Sequence, residues 1–469
     1  MNLKLSVISR QSSALPILFG LLAAVPSIAA GQTSLSIYSD GRVVVRKTLP
    51  QGLQRGRNQL ILQIEGLDPA TLFSPDSTVT VTSATVRYAS GQNDALARAM
   101  GQTLSFVRGK GDTIRATVVR VDPPQYRLAE GRLLLSPPGE PLFPPELVRT
   151  APEAVLALDA ARGRPNTQLA YVTQGVTWEA TYQAVIGAGG AGATIGGAAT
   201  VTSQALRTDS AEIQLVAGTI HRTRTDQSKG YAPAAMAARA VMEQAQMPEE
   251  QAVGETHVYS LPAKLSLEPG VPVATALFPR ATTAVTQEFV VPGVLPWRGW
   301  LGQEPDNVNQ VPVQVWYTFT RGRGTSFGDR PLPGGAMQLY QADAEERVQL
   351  VGEATIGHTP PGKDVRVQSG DAFDVTAQRV QTEYNQEQLP PLRRGLSARQ
   401  RVTASYRVTV TNAKAAAVTV DVRESHFGAW KVVESSAPAE KLSSTETRFR
   451  LAVPAGGETV LTYTVQIES

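Results

Sequence analysis

The segment Arg401-Val-Thr-Ala-Ser-Tyr-Arg-Val-Thr-Val410 alternates strictly between two kinds of residue. Val402, Ala404, Tyr406, Val408 and Val410 occupy one parity, and Arg401, Thr403, Ser405, Arg407 and Thr409 the other. Side chains of a strand point to opposite faces in turn, so this pattern predicts a strand with one dry and one wet side. The same period continues through Val418, Val420 and Val422, then Phe449, Leu451 and Val453, then Leu461, Tyr463, Val465 and Ile467. Turn residues at Asn412-Ala-Lys414 and Pro454-Ala-Gly-Gly457 separate these runs. Four consecutive amphipathic strands joined in this way predict an antiparallel β-sandwich of immunoglobulin-like type.

The amino-terminal half is also strand-rich, with its clearest candidates at 79–86, 113–121, 177–186, 199–203 and 212–217. A short helix is expected over 94–100, capped by Asn93 or Asp94. Paired prolines at 123–124, 137–138 and 144–145 oppose regular structure around them. Residues 222–255 differ from both flanks: their apolar content is mostly alanine and methionine, which bury too little area to hold a free-standing helix. The expected organisation is mainly β. Two or more sandwich domains occupy 31–221 and 256–469, joined by a flexible or partly helical linker at 222–255.

The first thirty residues read as a secretory leader. Lys4 and Arg10 precede an uncharged apolar run from Ala14 to Ala30, and Ser27-Ile-Ala29 offers small residues at a peptidase site. The run is short for a bilayer span and is broken by Pro16 and Pro26, leaving a retained anchor as the alternative. Losing Lys4 and Arg10 takes the formal charge from +3 to +1. A near-neutral chain has no electrostatic basis for binding nucleic acid. The absence of cysteine excludes disulfides, thiolate metal sites, cysteine nucleophiles and a lipidated cysteine. No segment after Ala30 is apolar enough to span a membrane.

Several motifs invite a chemical reading. Gly187-Ala-Gly-Gly-Ala-Gly192 matches a dinucleotide fingerprint, but glycine and strand-like residues follow it where a helix is needed to receive the pyrophosphate, so it reads as a hairpin loop. Gly370-Asp-Ala-Phe-Asp374 reads as a turn whose Asp371 and Asp374 bond local backbone amides. Arg321-Gly-Arg323-Gly reads as a solvated basic turn. Trp297-Arg-Gly-Trp300 lies in a Pro- and Gly-rich loop and offers two aromatics to a sugar or a protein partner. His221, His257, His358 and His426 are the only imidazoles, and they are the candidate metal ligands. No paired-histidine helix, serine elbow or Walker loop occurs.

Tyr171-Val-Thr-Gln-Gly-Val-Thr-Trp178-Glu-Ala-Thr-Tyr182 and Leu215-Val-Ala-Gly218 resemble the middle of proteins carrying the domain of unknown function numbered 4139, kin to mucoidy-inhibitor-A-like proteins. Leu332-Pro-Gly-Gly335, Ile356-Gly-His-Thr-Pro360, Gly370–Asp374, Asn412-Ala-Lys414 and Trp430 continue the resemblance over nearly the whole mature chain. The insert before His257-Val-Tyr259 is similar to the variable linker of that family. One departure is the stretch from Gln204 to Ser210, where relatives carry an Asn-Ser-Gly turn. The resemblance implies an exported, strand-rich protein and transfers no catalytic residue. The expected function is binding to a cell-envelope protein or polysaccharide, within a larger envelope assembly. The alternative is an oxidoreductase of superoxide-dismutase type, with the histidines holding copper.

Overall fold

In the computed structural model the described residues are 33–64, 66–218, 249–293, 303–304, 309–391 and 399–468. The leader, His221, Trp297, Trp300 and linker residues 222–248 lie outside them. The described chain is mainly β, with strands in five sheets and one α-helix, Gln92–Arg98.

The strands anticipated from alternation form, and their dry parity is the buried one. Val402, Ala404, Val408 and Val410 of Arg399–Asn412 are buried, as are Leu461, Tyr463, Val465 and Ile467 of Gly457–Glu468. These two strands pair from Arg401↔Glu468 to Asn412↔Gly457. With Asn309–Val311, Val375–Leu389 and Ala429–Ser435 they complete an antiparallel five-stranded sheet. Its dry face meets the sheet containing Val418–Ser425 and Glu446–Val453, where the Phe449 ring lies 5.0 Å from that of Tyr463. Asn412 closes the corner. Its buried amide donates to the carbonyls of Ala416 and Pro454, both at 2.9 Å, and its side-chain oxygen accepts from the Lys414 amide at 3.0 Å.

Pairing crosses the segment expected to separate two domains. Thr208–Ala217 pairs with Thr256–Ser260, placing Leu215 opposite Tyr259. Glu249–Val253, at the end of the expected linker, is an edge strand on Thr256–Ser260. The intervening two residues turn at Gly254, whose φ of 61° suits a tight hairpin. Likewise Gly192–Ser203 pairs with Val273–Val291, and Val176–Ile186 runs parallel to Gly335–Ala342. One hydrophobic core accordingly draws on both sides of that segment. A second, smaller core belongs to a module between Val79–Arg87 and Glu153–Ala160. It packs Leu96 and Ala99 of the helical segment on Leu104, Phe106, Val118 and Tyr126 of a five-stranded sheet. Its helix starts at Gln92, with Gly91 as the cap residue and no side-chain cap bond, rather than at the expected Asn93 or Asp94 cap.

The glycine-rich stretch 187–192 is a hairpin turn. Gly187 donates to the Gly192 carbonyl at 3.0 Å, and Ile186 pairs with Ala193. Gly197, on the next strand, lies under the buried Phe278 ring: a β-carbon there would come within 2.3 Å of it. Phe278 is held in turn by Tyr182 and Phe327, each at 6.1 Å. Gly197→Val is therefore expected to destabilise the protein by about 1–3 kcal/mol through overpacking, read from urea unfolding.

Candidate functional site

Val375, Ala377 and Arg379 share the buried parity of Val375–Leu389, so a guanidinium occupies a core position. Opposite it, Val420, Val422 and Glu424 share the buried parity of Val418–Ser425. Arg379 is 8% exposed and Glu424 2%. Arg379 Nε donates to both Glu424 oxygens, at 3.1 and 3.3 Å. Its Nη1 donates to both oxygens of Glu304, at 3.1 and 2.8 Å. The guanidinium lies 4.1 Å over the Tyr406 ring, and that ring stacks on Tyr463 at 5.2 Å. Gln381 donates through Nε2 to the Tyr406 hydroxyl at 3.1 Å, and its Oε1 accepts the Glu304 backbone amide at 2.8 Å.

The electrostatics follow from burial. Desolvation works against the Arg379 charge, but Glu424, Tyr463 and Glu304 outweigh it and hold its pKa above the usual value. Burial, then the adjacent Glu424, raises the Tyr463 hydroxyl well above its ordinary range. His426 completes the cluster, buried 4.9 Å from Trp430 and 6.4 Å from Tyr463. Burial first and Arg379 second lower its pKa to about 4. Its Nε2 has no hydrogen-bond partner among the described residues.

A second buried guanidinium corrects the reading of Arg321 as part of a solvated turn. Val313, Val315, Tyr317, Phe319 and Arg321 all fall on one buried parity, and Arg321 is 1% exposed. It donates to the carbonyls of Phe327, Pro360, Lys363 and Arg330, and its backbone amide donates to Asp364 at 2.7 Å. One side chain thereby ties the 321–330 loop to the 360–364 turn. Tyr182 and Tyr259 hold the continuation through the carbonyls of Pro333 and Pro331. In both clusters a charged residue on the dry parity of a strand was the sequence signal available.

The described histidines are engaged separately. His257 Nδ1 lies 2.7 Å from Glu250 across the Glu249–Val253 hairpin. His358 Nδ1 accepts the Gly334 amide at 3.0 Å, so this residue bonds backbone as a turn histidine does. His426 sits in the aromatic cluster. Among the described residues no three His, Asp or Glu side chains are grouped so as to hold a metal ion, so His257, His358 and His426 are not brought together as copper ligands. Asp371 and Asp374 depart from the expected local amide bonds: Asp374 instead pairs with Lys414 at 3.6 Å, and its carbonyl accepts the Ala413 amide.

No protein-family model and no curated protein matches the chain. Among the described residues no helix is long and apolar enough to cross a membrane.

The low His426 pKa has a definite sign. The unfolded chain takes up the proton near pH 6.5 and the folded one only near 4, so stability falls as pH drops through that interval. Wild-type protein should lose on the order of 3 kcal/mol between pH 7 and 4 from this group. The pH dependence of urea unfolding should be flatter by about that amount in His426→Phe.

Proposed function

We propose that the chain is an exported cell-envelope protein of β-sandwich, immunoglobulin-like build that acts by binding and assembly, in keeping with its resemblance to the family of domain 4139 and mucoidy-inhibitor-A-like proteins. The leader-like first thirty residues support export, and the facing sheets around Phe449 and Tyr463 support the sandwich. The observation that carries binding is the edge strand Val348–Ile356. It closes one end of the ten-stranded sheet and, among the described residues, pairs on one side, with Gly335–Ala342; its middle packs on another strand, where Gly352 meets Ser369. Its first four residues, Val348-Gln-Leu-Val351, are all exposed, with Leu350 at 60%.

A sheet edge offers main-chain donors and acceptors to another strand, and soluble proteins ordinarily guard it with charge, proline or a covering loop. Here the edge carries three aliphatic side chains, a surface suited to strand addition by a protein partner. The bulge between Leu339 and Tyr340 leaves Val351 unpaired, and the ladder resumes with Leu350 opposite Tyr340. Mature protein should co-fractionate with envelope material and cross-link to a partner in cells. Leu350→Lys should reduce that cross-linking at least about tenfold, the effect of losing one well-placed apolar contact, without lowering the melting temperature. A protein that stays free and monomeric in both assays would contradict the proposal.

A further inference from the structure

The Arg379 cluster treats its two carboxylates differently. Glu424 comes from the facing sheet and is almost wholly enclosed. Glu304 arrives from outside the sheet, and its side chain is 29% exposed. Removing a partner from a buried ion pair is costly when it leaves a bare charge. Removal of Glu304 avoids that cost, because Glu424 still neutralises Arg379. The outer half of the guanidinium faces the more exposed carboxylate and the inner half the enclosed one.

The surroundings of Glu304 describe what the position reads. Arg379 Nη1 contacts both carboxylate oxygens, and Gln381 Oε1 accepts the backbone amide of the same residue. The Tyr406 hydroxyl, by accepting from Gln381 Nε2, turns that oxygen outward, and the Tyr406 ring supports the guanidinium from behind. Downstream of Glu304, Asn309–Val311 pairs antiparallel with the edge of Val375–Leu389, from Asn309↔Arg379 to Val311↔Ala377. Among the described residues, the edge beyond Arg379 has no strand on that side.

We propose that Arg379, Gln381 and Tyr406 form a recognition site for an acidic residue in an extended peptide, occupied in this structure by the chain's own Glu304 and taken by a partner's acidic segment in exchange. The amide contact through Gln381 and the strand pairing alongside favour a peptide over a sugar acid, which has no main-chain N–H to offer. The internal Glu304 competes at the high effective concentration of a tethered ligand. The proposal rests on the reading of the chain as a binding protein, but on a different surface from the Leu350 edge. Loss of cross-linking in Leu350→Lys and loss of peptide binding at Arg379 are therefore separable results.

The test uses full-length mature protein and a fluorescent peptide with the sequence of residues 302–312 of this chain. Glu304→Ala should bind it at least about tenfold more tightly than wild type, as expected on removing a tethered competitor. The gain should vanish in Glu304→Ala/Gln381→Ala, and with a peptide carrying Gln in place of its glutamate. Should Glu304→Ala lower the melting temperature, Glu304→Gln keeps the side-chain shape and provides the same comparison. Equal binding by wild type, Glu304→Ala and Glu304→Gln, or no binding by either of these two single variants, overturns the proposal. Tighter binding of an oligogalacturonate than of the peptide overturns the assignment to peptide.

Discussion

A guanidinium enclosed between two β-sheets has to be neutralised where it sits, and Arg379 organises the carboxy-terminal part of this protein on that requirement. Desolvating the charge is expensive, so Glu424 on the opposing sheet has to face it, which fixes how Val375–Leu389 and Val418–Ser425 oppose one another. The Tyr406–Tyr463–Phe449 stack then fills the space around the pair with rings at spacings of 5.2 and 5.0 Å. Replacing such a pair with aliphatic side chains often leaves stability unchanged, so its worth here lies in orientation. It holds one face of Arg379 toward the segment carrying Glu304.

Arg321 does comparable work with neutral partners. Backbone carbonyls from two loops converge on it, and burial lowers its pKa without a carboxylate bonded to the guanidinium. The loops that follow the 314–319 strand are thereby set against the core, together with Tyr182 and Tyr259. His358 adds a smaller tie by accepting the Gly334 amide, just before Gly335–Ala342 begins. That strand supports the exposed Val348–Ile356 edge, so the proposed binding edge rests on firmly anchored turns.

Much of the fold was legible because a half-buried strand must alternate. Val402 to Val410 and Leu461 to Ile467 could be read directly, with the dry side correctly assigned. The turn at Asn412 was equally readable, since its amide supplies hydrogen bonds the corner lacks. Sheet partners were not legible: Leu215 meets Tyr259 and Gly197 meets Phe278 across long stretches of chain, and no local pattern encodes which strand lies next to which. The buried charges were legible in retrospect. Arg379 extends the series Val375–Ala377, Glu424 the series Val420–Val422, and Arg321 the series Tyr317–Phe319. Composition led instead to the histidines, and the rings of His257, His358 and His426 are each engaged in a different place.

Under the proposed exchange, Glu424 is the structural carboxylate of Arg379 and Glu304 the exchangeable one. Double-mutant cycles measured by urea unfolding test this assignment directly, with Arg379→Gln combined separately with Glu424→Gln and Glu304→Gln. The expected coupling is about 3 kcal/mol or more for Arg379–Glu424 and below about 1 kcal/mol for Arg379–Glu304. Equal couplings, or a larger one for Glu304, would contradict the assignment.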